Sequence, residues 1–297
     1  MRSLTSHNIY LNGLRFHYLD WGGSGRPIVL LHGLSSNAYL WAFTAPILAK
    51  GFRVVGLDMR GHGLSAKARQ GYDFPTMVGD VKAFVDALGL EKPIVVGHSW
   101  GGNVAMQFAV DFPDSVSGVV GVDGGIVDPS SFSEAKWEEL VKELAPTDFK
   151  ALDLTWQEFL QKAQEWRVSF YWGGQLETFL KYNFYVNRNG KVRSRLTPER
   201  HVLIMRSIWE QKISRMYPRV GCPALLIMAK ENSERPSSKL ASFQKQKAET
   251  VKLAAGILER CRVHWMHDTI HDVPVQRPKE VAGLIEKGVR EGFFQDG

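Results

Sequence analysis

The sequence predicts an α/β fold built on a mostly parallel sheet, and three observations indicate it. Short runs of β-branched residues alternate with longer segments of helical periodicity. These runs are apolar at nearly every position, which is typical of strands covered by helices on both faces. Residues 128–217 interrupt the alternation with a long block of polar and aromatic residues at helical spacing. One α/β domain with a helical insertion therefore accounts for the chain of 297 residues.

The predicted elements follow in order along the chain. A β-hairpin opens it, because residues 7–12 and 14–19 alternate in polarity around the turn pair Asn12-Gly13. Further strands are predicted at residues 28–31, 53–57, 94–97, 118–122, 224–228 and 262–266, and helices at residues 76–88, 240–258 and 278–292. The core is thus predicted to comprise residues 1–127 and 218–297, with residues 128–217 as the insertion.

Composition and charge exclude several classes of protein. Hydrophobic residues make up 44% of the chain and charged residues 23%, so it can bury a core and is neither disordered nor fibrous. The net charge of +6 is spread along the sequence, and we therefore expect no nucleic-acid partner. We see neither a secretory leader nor an apolar segment of membrane-spanning length, and expect a cytoplasmic protein. The two cysteines lack the spacing of a zinc site, and we expect no metal.

The pattern Gly97-His98-Ser99-Trp100-Gly101 fits the form G-x-S-x-G and predicts a nucleophilic serine. It lies between a predicted strand and a helix start, so the chain must turn tightly at Ser99 and point the side chain away from the sheet. Only very small residues fit two positions before and after such a turn, and both are glycine here. The start of the helix also directs unpaired amide groups at charge that develops near the serine.

His271 is the predicted base that activates this serine. A serine hydroxyl is a poor nucleophile unless a neighbouring group removes its proton, and imidazole does this near neutral pH. Of the nine histidines, His271 lies just beyond the last predicted strand, in a loop that precedes a helix. Loops at the carboxyl ends of strands are where open α/β sheets gather their chemistry.

These motifs resemble those of the α/β-hydrolase superfamily and come in that family's order. They are His32-Gly33 after a strand, the turn at residues 58–65, the serine pattern and the terminal histidine. The resemblance covers nearly the whole chain outside residues 128–217. It implies an α/β-hydrolase fold with an eight-stranded, mostly parallel sheet, in the serine-nucleophile, carboxylesterase-like branch that carries a cap.

The resemblance also implies an oxyanion hole and a cap. The backbone amides of Leu34 and Trp100 correspond to the family's two oxyanion donors. Residues 128–217 correspond to the helical cap, or lid, that covers the site. Its tryptophans and the run Phe170-Tyr171-Trp172 either line an apolar acyl pocket or pack the cap onto the core.

Three candidates remain for the carboxylate that orients the imidazole. In most of the family this acid follows the strand predicted here at residues 224–228, where Glu231 and Glu234 lie close to the usual position. Some relatives, haloalkane dehalogenases among them, carry the acid after the preceding strand, where this chain has Asp123. We favour Asp123, because it stands at a strand end beside glycines, and keep Glu231 and Glu234 as alternatives.

A serine nucleophile, a neutral base and an oxyanion hole predict acyl transfer to water. We therefore expect a serine hydrolase of small to medium esters with an apolar acyl or aromatic group, acting as a monomer or homodimer without a cofactor. Epoxide hydrolases and haloalkane dehalogenases of this fold need an aspartate where Ser99 stands, so both fit poorly. The alternatives are a carbon–carbon bond hydrolase of ring-cleavage products and a ligand receptor built on a hydrolase scaffold.

Overall fold

An eight-stranded sheet forms the centre of the structure. The structure is a computed structural model and describes residues 4–129, 136–166, 168–232 and 238–295. The strands, including those of a separate small hairpin, are β1 (Thr5–Leu11), β2 (Leu14–Gly22), β3 (Pro27–Leu31), β4 (Arg53–Leu57), β5 (Ile94–His98), β6 (Gly118–Val122), β7 (Phe184–Val186), β8 (Val192–Ser194), β9 (Ala224–Lys230) and β10 (Cys261–His267). The order across the sheet is β1-β2-β4-β3-β5-β6-β9-β10. Strand β2 runs antiparallel to β1 and β4, and all other neighbours are parallel. The predicted mostly parallel, eight-stranded sheet is confirmed.

Helices cover the sheet and form most of the segment between β6 and β9. In the described part of the chain they are α1 (Ala45–Leu48), α2 (Phe74–Ala87), α3 (Trp100–Asp111), α4 (Trp137–Glu143), α5 (Phe149–Leu152), α6 (Trp156–Gln164), α7 (Ser169–Trp172), α8 (Leu176–Asn183), α9 (Pro198–Gln211), α10 (Ser238–Ile257), α11 (Val273–Gln276) and α12 (Pro278–Arg290). Short 3-10 turns lie at Ala38–Trp41, Pro113–Ser115, Gly173–Gln175, Ile213–Arg215 and Tyr217–Arg219.

The sheet is buried on both faces, which explains why its central strands are uniformly apolar. Side chains of successive strand residues point to opposite faces. Val95 of β5 therefore packs in one apolar cluster, together with Val55 and Val29. Its neighbours Ile94 and Val96 pack in a second cluster on the other face. A polar residue at these positions would lie in a core on either side.

The segment between β6 and β9 adds a layer of helices and one hairpin. Helices α4 to α9 lie in it, and β7 pairs with β8 in an antiparallel hairpin. Thr155 and Glu158 form a reciprocal capping box at the start of α6, which satisfies backbone donors there. The hairpin was not predicted, because strands of three residues show too little alternation to recognise.

The turn from β5 into α3 is the tightest point of the fold. Ser99 adopts φ 51° and ψ −124°, a conformation that a side chain rarely tolerates. A Cβ atom on Gly97 would lie 2.1 Å from the carbonyl oxygen of Gly101, and one on Gly101 would lie 2.5 Å from that of His32. The amide of Ser99 donates to the carbonyl of Val122 in the next strand, at 3.0 Å. Close backbone packing therefore holds the serine in this conformation.

We expect Gly97→Ala to destabilise the protein and Gly283→Ala to stabilise it. The first change forces a methyl group to within 2.1 Å of a backbone oxygen, and such overpacking costs about 1–3 kcal/mol of unfolding free energy. The second lies in α12, where a new methyl group meets nothing within 4 Å and alanine favours the helix by up to about 1 kcal/mol. Urea unfolding of both variants measures the two signs. An unchanged free energy for Gly97→Ala would contradict the packing argument.

Candidate active site

Ser99 is held at the carboxyl end of β5 with its hydroxyl unused by the local fold. It immediately precedes α3, a position where serine commonly caps a helix by accepting from the first amides. Here the side chain makes no such hydrogen bond. The hydroxyl is therefore left to the pocket that Ser99 lines. Trp100 begins α3, where amides have no carbonyl one full turn earlier in the helix, and the amide of Gly102 donates to the Ser99 carbonyl at 2.9 Å.

The structure joins Asp123 to His271. Asp123 directly follows β6, and its Oδ2 lies 2.6 Å from His271 Nδ1. Its other oxygen, Oδ1, accepts a hydrogen bond of 3.0 Å from the amide of Ala229 and forms an ion pair with the Lys247 ammonium. The Asp123 side chain is only 3% exposed, whereas that of His271 is 52% exposed because it borders an open pocket. A buried carboxylate with donors on both oxygens thus orients a half-exposed imidazole.

Of the three candidate acids, Asp123 is the one that the structure places in contact with His271, the predicted base. Both His271 Nδ1 and a carboxylate oxygen are satisfied by this one hydrogen bond. Glu231 follows β9, and the hydrogen bond recorded for His271 Nδ1 goes to Asp123. Glu234 lies outside the described residues.

Charge on Asp123 and His271 is mutually stabilised. Burial alone would raise the pKa of Asp123, but the hydrogen bond and charge of His271, and then the charge of Lys247, lower it to about 2. Partial burial alone would lower the pKa of the half-exposed His271 ring, yet the hydrogen bond and charge of Asp123 outweigh it and hold that pKa above its ordinary value. Asp123 is therefore ionised near neutral pH, and His271 is a stronger base than a free imidazole.

His98, which precedes Ser99, is hydrogen-bonded to the loop that carries His271. His98 Nε2 lies 2.9 Å from the carbonyl oxygen of His271, and because a carbonyl only accepts, Nε2 carries the hydrogen. The two rings lie 4.6 Å apart. Burial, and then the neighbouring His271, lower the pKa of His98 to about 3, so it is neutral. Sequence reasoning missed this role, because nothing in the elbow pattern points to a loop so far along the chain.

The segment that carries Leu34 lies against Ser99. A Cβ atom on Gly33 would be only 3.1 Å from Ser99 Cβ, so the backbone before Leu34 passes very close to the serine. His32 fixes this segment, since its Nε2 accepts from the amide of Met59 at 3.1 Å and its Nδ1 donates to the Gly33 carbonyl at 2.8 Å. Leu34 lines the same pocket as Ser99. The predicted donors thus come from two segments that both adjoin the serine.

Ser99 and His271 line one pocket of about 820 Å³, between the sheet and the helical segment above it. Within the described residues no hydrogen bond joins the Ser99 hydroxyl to the His271 ring. In enzymes without bound substrate such contacts are often long and shorten only when the complex forms. A pocket of this volume is large enough for a small organic substrate.

Several aromatic side chains line the pocket, but the run at 170–172 is not among them. The aromatic lining comes from Phe149, Trp166, Phe179, Phe184 and Tyr185. Trp172 is buried and stacks on Phe179, at 4.3 Å between ring centroids, and Phe170 is 85% exposed. Of the two roles predicted for the aromatic run, Trp172 therefore has the packing role, and other aromatic side chains line the pocket.

In the described ranges we find no helix long and apolar enough to cross a membrane. The same residues include no group of three or more His, Cys, Asp or Glu side chains placed to hold a metal ion.

A model of the alpha/beta hydrolase fold family matches residues 26–219, about two thirds of the chain. The chain belongs to the α/β-hydrolase family. The eight-stranded, mostly parallel sheet with its covering helices is thus that of an α/β hydrolase, as the sequence predicted.

Curated relatives share parts of this α/β hydrolase. A soluble epoxide hydrolase of Corynebacterium sp. strain C12 is 46% identical over 113 residues, which cover 38% of this chain and 39% of that protein. Epoxide hydrolase 4 of Mus musculus is 32% identical over 179 residues, covering 59% and 43%. A serine hydrolase-like protein of Danio rerio is 42% identical over 106 residues, covering 35% and 32%. The matched part spans less than half of each of these relatives.

Solved structures share the fold over nearly the whole chain. An E-2-(acetamidomethylene)succinate hydrolase aligns with a TM-score of 0.72 at 20% identity, covering 97% of this chain and all of that one. The enol-lactonase from Burkholderia xenovorans LB400 aligns with a TM-score of 0.68 at 19% identity, covering 96% and 100%. At this identity the likeness concerns the fold alone.

We expect the pKa of the His271 imidazole to lie above the ordinary value of about 6.5, and Asp123→Asn to lower it. The substitution removes the hydrogen bond and the negative charge that most favour the imidazolium, so that only the Asp272 charge still favours it, against partial burial and the Lys247 charge. Nitrogen-detected NMR titration, with His271 assigned through a His271→Gln variant, measures both values. An equal or higher pKa in Asp123→Asn would contradict this electrostatic account.

Proposed function

We propose that this α/β hydrolase is a serine hydrolase that cleaves carboxylic esters through an acyl-enzyme intermediate. One observation carries the proposal. Ser99, whose backbone is strained and whose hydroxyl makes no helix-capping hydrogen bond, lines the same pocket as His271, and Nδ1 of that imidazole is hydrogen-bonded to the buried Asp123 carboxylate. A neutral histidine in this arrangement is the base that a serine nucleophile needs.

The reaction follows from the roles assigned to these groups. His271 Nε2 takes the proton of Ser99 Oγ while Oγ adds to the carbonyl carbon of the ester, and we assign the resulting oxyanion to the amides of Leu34 and Trp100. The imidazolium then protonates the leaving alcohol, and the acyl group stays on Ser99. Water loses a proton to His271 as it adds to the acyl carbon. When this second intermediate breaks down, the imidazolium returns that proton to Ser99 Oγ and the acid is released.

The nucleophile argues for esters over the epoxides in the names of several relatives. A carboxylate that opens an epoxide forms an ester, which water can hydrolyse to free the enzyme. The hydroxyl of Ser99 would instead form an ether. An ether has no carbonyl carbon to which water can add, so the enzyme would not be released. The same serine attacking a carboxylic ester gives an acyl ester, which does turn over.

The pocket supports an apolar acyl or aromatic group of small to medium size. Phe149, Phe179 and Phe184 contribute aromatic rings to its lining, and its volume of about 820 Å³ suits a ligand of that size. Because these rings come from residues 128–217, we propose that this segment is the cap of a core formed by residues 1–127 and 218–297. The enzyme then needs only a small-molecule ester and water.

We expect Ser99→Ala to abolish hydrolysis of p-nitrophenyl butyrate, with a loss of kcat of at least about a thousandfold, because no other group can carry the acyl intermediate. Ser117→Ala is the matched control, since its buried hydroxyl lies outside the pocket and has no hydrogen-bond partner among the described residues. It should retain wild-type kcat. A fluorophosphonate should label the wild type and Ser117→Ala but not Ser99→Ala.

Activity or labelling that survives in Ser99→Ala, with an unchanged circular dichroism spectrum, would contradict the proposal. Turnover of styrene oxide by the wild type at a rate matching its ester turnover would also contradict it, because the proposed serine chemistry cannot regenerate the enzyme from an ether.

A further inference from the structure

We propose that Lys247 is a positioning residue, whose ammonium holds Asp123 in place and sets the pH range over which His271 acts as a base. The inference deepens the proposed function and rests on it for its kinetic arm. Lys247 lies on α10, which sequence alone does not connect with the other members of the site.

Lys247, Asp123 and Ala229 form a closed set of polar contacts. The Lys247 ammonium pairs with Asp123 Oδ1 and donates to the carbonyl oxygen of Ala229 at 2.6 Å. The amide of Ala229 donates to the same Asp123 oxygen at 3.0 Å. Asp123 Oδ2 is thereby left to His271 alone. The contacts fix the carboxylate from the side opposite the imidazole and prevent it from rotating.

Burial strengthens the interaction of the Lys247 charge with Asp123. Its side chain is 7% exposed, and lysine is almost never buried to that degree unless it is paired. Where water is largely excluded, charges interact more strongly than at the surface. Asp123 therefore interacts strongly with two cations once His271 is protonated, and Lys247 competes with the imidazolium for the same negative charge.

The charged and titratable groups that face His271 determine the sign of this effect. They are Asp123 after β6, Lys247 on α10, the adjacent Asp272, and His98 at the end of β5. Burial lowers the pKa of His98 to about 3, so it adds no charge. Asp123 and Asp272 raise the pKa of His271, and Lys247 lowers it. Without Lys247 the imidazole would hold its proton to higher pH and would be the wrong form for a base.

A purely structural role is the competing explanation, because the same ion pair fastens α10 to the sheet. The two roles differ in what they change. A structural lysine alters stability or the amount of active enzyme equally at every pH. A positioning lysine shifts the pH at which His271 loses its proton and leaves the activity above that pH almost unaltered.

The test compares Lys247→Gln, Lys247→Met and Lys247→Arg with the wild type. Glutamine removes the charge but keeps a donor, methionine removes both, and arginine keeps the charge. Lys245→Met is the matched control, because it removes the same charge from an exposed position on the same helix. Each variant is titrated at His271 by NMR, and its kcat/KM for p-nitrophenyl butyrate is measured from pH 5 to 9.

We expect Lys247→Gln and Lys247→Met to raise the pKa of His271 by about one unit, and the acid limb of kcat/KM to move by the same amount. Activity below that limb then falls roughly tenfold, while the plateau changes by less than about threefold. Lys247→Arg should restore the wild-type profile, and Lys245→Met should not depart from it.

An unchanged His271 titration in a folded Lys247→Gln or Lys247→Met variant would overturn the proposal. So would failure of both variants to fold, since Lys247 would then serve the fold. The NMR arm needs no substrate, so the role of Lys247 is tested even if the wild type hydrolyses no ester. The two proposals can therefore fail separately.

Discussion

The hydrogen bond between Asp123 and His271 is the interaction on which the site depends. It joins two segments that lie 148 residues apart in the chain, at 2.6 Å. Because Asp123 accepts from Nδ1, the neutral imidazole keeps its hydrogen there and leaves Nε2 free to accept a proton. A buried carboxylate would ordinarily be neutralised by desolvation. This one stays charged because the His271 ring N–H satisfies one oxygen, and the Lys247 ammonium and the Ala229 amide satisfy the other. Charge, tautomer and loop position are thus set by one small group of contacts.

The parallel sheet provides the geometry for that group. Strands β5, β6 and β9 are neighbours, so Ser99, Asp123 and Ala229 come together at or near their carboxyl ends. The glycines around the elbow let β5 and α3 approach closely enough to hold Ser99 in its strained conformation. His98 then ties the loop of His271 to the same strand end. The fold therefore orients the few side chains to which we assign the proposed chemistry.

Sequence patterns predicted the strands of the sheet, and there are physical reasons why they left other features of the candidate site unresolved. The runs at residues 53–57 and 118–122 are β4 and β6, because strands buried on both faces leave an unmistakable apolar run. The acid stayed ambiguous, because β6 and β9 are parallel neighbours and a carboxylate after either strand emerges at the same edge. The sequence did not predict a role for Lys247, because a lysine on a helix is ordinarily solvated. Its burial follows only from the packing of α10 against Asp123. The aromatic side chains of residues 128–217 were equally hard to assign, since spacing along the sequence does not show whether a ring lines the pocket or packs against its neighbours.

The central claim is that Ser99 reacts because His271 accepts its proton beneath two backbone amides. A crystal structure of the protein treated with a p-nitrophenyl alkylphosphonate tests it most directly, since the covalent adduct mimics the tetrahedral intermediate. The account predicts phosphorus bonded to Ser99 Oγ, with one phosphonyl oxygen about 2.7–3.1 Å from the amide nitrogens of Leu34 and Trp100. It also predicts His271 Nε2 within hydrogen-bond distance of Ser99 Oγ or a phosphonate oxygen. An adduct on another residue, or an oxygen directed away from both amides, would contradict it.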